Sequence, residues 1–118
     1  MPKILAAQEQ VVKDDRTGAF RPKFDLSAVT AYGELTFAAG AGAIALMPDA
    51  MMERLCAAIE EFDPGKDYVL PIGDPTVIFF LGLVMGARHG KASVLRWDGK
   101  YQRYTVITGE ANDDQFRG

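Results

Sequence analysis

The chain of 118 residues holds a single cysteine, Cys56, and a single histidine, His89. One cysteine excludes an intramolecular disulfide framework and any multi-cysteine zinc or iron–sulfur site. One histidine excludes the usual histidine-rich metal centres and most histidine-paired triads. Positive charge is also scarce: 13 Lys and Arg against 16 Asp and Glu leave a net charge of −3. No global basic field therefore draws the chain onto nucleic acid or anionic lipid. Long apolar runs are missing as well. The longest, Val77 to Ala87, is too short to span a bilayer. Nor does the start, Met1-Pro2-Lys3-Ile4-Leu5-Ala6-Ala7, have the apolar centre of a secretory peptide. These absences lead to the expectation of a cytoplasmic, non-membrane protein with a reduced thiol.

What is present reads as one α/β domain. Residues 1–24 are taken as an N-terminal arm or small hairpin, with Asp14-Asp15-Arg16-Thr17-Gly18 supplying turn chemistry. Asp25 to Gly33 has the capping and stop signals of a short helix. The domain proper, 25–109, contains a first strand at Leu35–Ala38 and a small-residue loop ending in Gly40-Ala41-Gly42. A helix then opens at Pro48-Asp49, with Met51, Met52, Leu55, Ile59 and Phe62 forming one apolar stripe. Asp63-Pro64-Gly65 stops it. Tyr68–Ile72 is an unalternating apolar strand of the kind covered on both faces, and Pro71 marks its end.

Asp74 as cap and Pro75 at the first helical position predict a second helix. Its apolar residues leave no consistent polar face, so Phe79, Phe80 and Leu83 are expected to be buried. Gly82 and Gly86 fall on one side of it. Ala92–Trp97 is the next strand, and Asp98-Gly99 predicts a two-residue hairpin returning through Tyr101–Ile107. Residues 110–118 read as a frayed tail. The expected architecture is three parallel strands, two crossover helices and a C-terminal antiparallel hairpin strand.

Candidate functional residues are few. Open α/β sheets bind ligands at the carboxyl ends of their parallel strands. Gly40 and Gly42 follow one such end, and Gly73 and Asp74 another. Bare backbone N–H groups there suit an anion or nucleotide. No Walker lysine or full dinucleotide fingerprint accompanies them. Asp74 and Asp98 could hold a metal as paired carboxylates, but a helix cap and a hairpin turn account for both, and no metal or cofactor is implied. Cys56 reads as a small buried hydrophobe, because no basic neighbour activates it. His89 reads as a polar residue in a helix's last turn.

A second candidate surface is basic and aromatic. Arg96, Trp97, Lys100, Tyr101 and Arg103 lie close together around the hairpin. With the two-residue turn, Arg96 faces Tyr101 and Val94 faces Arg103, while Leu95, Trp97, Tyr104 and Val106 form the core side. Such a strip could contact phosphates and stack a base, though charge that guards a sheet edge is the favoured reading.

Phe24-Asp25-Leu26-Ser27, Tyr32-Gly33-Glu34-Leu35, Asp67 through Pro75, and Leu95-Arg96-Trp97-Asp98 together resemble small accessory proteins encoded by tailed bacteriophages, over residues 24–107. The resemblance implies production in the host bacterial cytoplasm and favours binding over metabolism. It assigns no functional residue. The expected function is therefore a non-enzymatic binding or assembly role, through contact with a protein partner or a second copy of the chain. A phosphate- or nucleotide-handling enzyme and nucleic-acid binding through residues 94–104 are the alternatives.

Overall fold

A computed structural model of the chain describes residues 1–23 and 25–111. Its centre is a five-stranded sheet in the order β4-β1-β5-β6-β7, with a separate two-stranded hairpin, β2-β3. The strands are β1 (Lys3–Gln8), β2 (Val11–Lys13), β3 (Phe20–Pro22), β4 (Glu34–Ala39), β5 (Tyr68–Leu70), β6 (Lys91–Asp98) and β7 (Arg103–Glu110), and the helices are α1 (Pro48–Glu60) and α2 (Pro75–Arg88). Strands β4, β1, β5 and β6 are parallel, and β7 closes the edge antiparallel. The layered α/β architecture is thus as expected, with one more parallel strand.

That extra strand is β1, which lies within the segment read as an arm. Ile4, Ala6 and Ala7 are fully buried and Leu5 nearly so, which is the burial of a central strand covered on both faces. Its run is short and rich in alanine, so neither β-branching nor alternation advertises it. The rest of the arm does form a hairpin: Val12 pairs with Arg21, and Gly18 closes the turn at φ +71° by donating its N–H to the Asp14 carbonyl. The segment after it makes only a 3-10 turn, Ser27–Ala31.

The sheet separates two apolar clusters. On one face Leu5, Ala7 and Val69 meet Met51, Leu55 and Ile59 of α1 and Val77, Leu81, Val84 and Met85 of α2. On the other, Ile4, Ala6, Leu70 and Leu95 are covered by Val29, with Leu26, Tyr32 and Tyr104 packed around them. Val69 and Leu70 therefore face opposite layers. His89 is more than a polar helix end. Its Nε2 lies 3.0 Å from the Ile59 carbonyl, so an Nε2–H tautomer ties the end of α2 to the end of α1. Cys56, expected in the core, is exposed; α1 rotates its apolar stripe inward and leaves that position on the solvent flank.

Helix α2 departs from expectation. Phe80 is partly covered, but Phe79 is 66% exposed and Leu83 is 54% exposed. The helix buries one side against the sheet and α1, and no element among the described residues covers the other. Gly82 and Gly86 lie on that open side. The hairpin also differs. β6 pairs with β7 so that Asp98 faces Arg103, Trp97 faces Tyr104 and Arg96 faces Thr105. The connection is thus Gly99–Gln102. Asp98 causes this: its Oδ1 accepts the N–H groups of Lys100 (3.0 Å) and Tyr101 (3.3 Å), and Gln102 takes a positive φ of 53° to bring the chain back. The shift relative to a two-residue turn is even, so each side chain keeps its expected face while its partner changes.

Candidate functional site

Going from β4 to β5 the chain crosses back over β1, which puts the reversal of strand order between β1 and β5. The carboxyl ends of strands at such a reversal are where an open sheet forms its crevice. Here the position is taken by Gln8, the last residue of β1, with 1% of its surface exposed. Its Nε2 donates to the carbonyls of Gly42 (2.7 Å) and Gly40 (3.2 Å), and its Oε1 accepts the Asp74 N–H at 3.1 Å. Its own N–H donates to the Ile72 carbonyl at 3.0 Å.

One side chain therefore brings together the two loops singled out from the sequence, Gly40–Gly42 and Gly73–Asp74. It does so by binding glycine carbonyls, the opposite polarity to an anion cradle. Gly73 makes this possible, with φ at +130° and a virtual Cβ only 2.6 Å from the Gln8 Cβ. No other residue fits there. Gln8 was invisible to sequence reasoning because the signal lies in the pairing of distant loops, not in any local spacing.

Asp74 does cap α2: its Oδ1 accepts the Thr76 N–H at 2.7 Å. Among the described residues, no group of three or more His, Cys, Asp or Glu is placed to hold a metal ion. At the other end of the strands, buried Asp67 accepts the N–H groups of Lys3 (2.8 Å) and Asp63 (2.9 Å), holding the start of β1 against the turn before β5.

The basic and aromatic residues of the hairpin are divided. Lys100 and Arg103 both lie against the Tyr101 ring, at 5.3 and 5.2 Å from its centroid. Trp97 points to the opposite sheet face, where it meets Tyr104 edge-to-face at 5.1 Å. Tyr104 continues to Tyr32 at 6.1 Å, and the Tyr32 hydroxyl donates to the Tyr104 carbonyl. Burial, then the Asp25 charge and Tyr32, push the Tyr104 phenol above its usual range. Strand β7 itself carries no charge from Tyr104 to Gly109. Of the hairpin cations, Arg103 alone stands on β7, at its first position.

Between α2 and the β6–β7 ribbon runs an apolar groove of about 410 Å³, with Ile78, Gly82, Met85 and Gly86 along one wall and Val94 and Gly109 along its floor. It is continuous with the exposed side of α2. Ile107, 50% exposed, pairs with Val94 and so stands on the same sheet face. No helix of the described residues is long and apolar enough to cross a membrane.

The profile of the phage Pam3 gp32-like protein family matches residues 2–110. The chain belongs to that family, and its match includes β1 and the hairpin as well as the later elements. Searches of curated proteins and of solved structures returned no match.

Proposed function

We propose that this member of a phage protein family acts by contact and not by turnover, and that the contact is self-association through β7 and the groove beside it. The observation that carries the reading is an unguarded edge. β7 is an eight-residue outer strand, uncharged over six consecutive positions, with neither proline nor lysine to block pairing. Such an edge is a template for another strand.

A second copy suits it best. Antiparallel pairing about a twofold axis normal to the sheet keeps the helices of both copies on one face. With the axis at Val106, Arg103 faces the partner's Gly109. With the axis at Ile107, it faces the partner's Ala111. Neither register sets like charges opposite each other, and α2 has no charged residue from Pro75 to Ala87 to add repulsion. The joined edge would be about 27 Å long and the adjoining flank of α2 about 21 Å.

Sedimentation equilibrium tests this. Wild type is expected to form a dimer in the micromolar range, and Ile107→Lys to remain monomeric while still melting cooperatively, as wild type does at concentrations too low to dimerise. A wild type that stays monomeric to several hundred micromolar overturns the reading.

A further inference from the structure

The other face of the sheet holds a separate concavity of about 560 Å³, at the carboxyl ends of β5 and β6. Its size lies within the range of about 300–1,000 Å³ typical of small-molecule sites. Alternation along the hairpin decides which side chains enter it. Leu95 and Trp97 of β6 share this face with Tyr104 of β7, the partner of Trp97. Arg96, one step along, belongs with its partner Thr105 to the helix-bearing face. Asp25 is then the one charged side chain left among the lining residues. Its Oδ1 accepts the Ser27 N–H at 2.9 Å, and its carboxylate keeps lone pairs for a further donor. Arg21 and Lys23 line an adjoining cavity that Asp25 also borders, but among the described residues Asp25 takes part in no ion pair. Burial first, and then the Asp25 charge, push the Tyr104 phenol up, which puts the carboxylate on the same side of the sheet as the rings.

Trp97 is 45% exposed. Tyr104 meets it at an interplanar angle of 66°, with the centroids 5.1 Å apart, and Tyr32 braces Tyr104 in turn at 6.1 Å. The two rings make a corner that is set before any ligand arrives, which limits the ordering cost of binding. Gln102 spends its amide nitrogen on the Gly99 carbonyl at 2.7 Å, so its own carbonyl oxygen is what it has left to offer.

A carboxylate, an acceptor oxygen and two aromatic rings select one ligand class. An anion would be repelled by Asp25. A purely apolar molecule would desolvate the carboxylate without replacing its hydrogen bonds. A neutral donor would use the carboxylate and gain little from the rings. A cation gains from both, because the face of an aromatic ring is the negative end of its quadrupole. Alkyl substituents on that cation would meet the apolar floor of Leu95 and Ile72. We propose that this cleft binds an alkyl-substituted ammonium group, held against Trp97 and Tyr104 with Asp25 as its counter-ion. Such a group occurs on small free cations and on methylated lysine side chains of proteins. The site stands on observations independent of the self-association reading.

Trp97 is the only tryptophan, so its emission reports on this cleft. At constant ionic strength, titration with choline is expected to change that emission saturably. The neutral alcohol in which carbon replaces the choline nitrogen should bind at least tenfold more weakly. Asp25→Asn keeps an oxygen for the Ser27 N–H and removes the charge, and should weaken choline binding at least tenfold. Arg96→Ala, on the far face of the sheet, should leave it within twofold of wild type. Calorimetry should show a comparable loss in Trp97→Leu, with circular dichroism confirming that each variant is folded. A peptide with one trimethylated lysine among neutral residues is the second probe. Tighter binding of the peptide than of choline, with the same dependence on Asp25 and Trp97, assigns the group to a protein side chain. Choline binding as tight as the peptide's assigns it to a small cation. Equal binding of choline and its neutral isostere overturns the proposal. So does binding that is indifferent to Asp25→Asn, or a failure of both choline and the peptide to saturate.

Discussion

The centre of the sheet and its β7 edge end up in opposite environments. β1 and β5 are sealed on both faces, with α1 and α2 above them and the 3-10 segment below. β7, only two strands from β5, is exposed at every position but Tyr104. The cause is connectivity. Each parallel strand is reached by a crossover that brings its own covering segment, whereas an antiparallel strand arrives through a tight hairpin and brings none. The open groove beside α2 is where a further crossover helix would lie. An uncharged α2 flank and the uncharged middle of the edge strand border that groove, with Lys91 and Glu110 at one end of it, and self-association is the reading we favour.

Glycines at the centre and at the edge should separate the regions most sharply. Gly73→Ala forces a Cβ into the backbone and side chain of Gln8 at a positive φ, and should cost about 3 kcal/mol or more. Gly109→Ala on β7 meets nothing within 4 Å and should change stability by no more than about 0.5 kcal/mol. Urea melts of the two variants check this, and equal losses would mean that centre and edge are not as different as described.

The next effect is that of Gln8 itself. Gln8→Ala strands two glycine carbonyls and the Asp74 N–H at the strand ends, and is expected to cost about 2–3 kcal/mol by the same measurement. Beyond that junction, Asp74→Ala should cost about 0.5–2 kcal/mol and Asp74→Asn almost nothing, because asparagine accepts the same Thr76 N–H. The smallest effect is at Asp25. Hydrogen bonds from the backbone and side chain of Ser27 hold its carboxyl below its ordinary value of 3.8. The stabilisation is therefore fully present above that value and is lost as pH falls through the lower folded pKa. Carboxyl titration by NMR should show the depression in wild type and its reduction in Ser27→Ala.

Much of this fold was legible from local chemistry. Pro48 and Pro75 mark helix starts, Asp74 caps as its position suggests, and the apolar run at Tyr68 announces a doubly covered strand. Two features were not legible, for physical reasons. β1 is specified by where it packs, since Ala6 and Ala7 have little strand preference of their own. The exposure of Phe79 and Leu83 depends on which elements the fold of the described residues leaves off that face. Apolar character signals a need for cover without stating whether the same chain provides it. At the hairpin, Asp98-Gly99 carries the signal for a short turn, yet Asp98 uses its side chain to cap a wider one. Gln8 joins loops 34 and 66 residues away, a relation that no window of sequence contains.

Amide hydrogen exchange along β7, followed as a function of protein concentration, tests self-association at the contact itself. Amides from Tyr104 to Gly109 that point away from β6 have no partner strand among the described residues. The account predicts that their protection rises with concentration in wild type and stays low in Ile107→Lys, while β1 remains protected throughout. Outward amides of β7 that exchange fast at every concentration, in a protein whose β1 is fully protected, would contradict it.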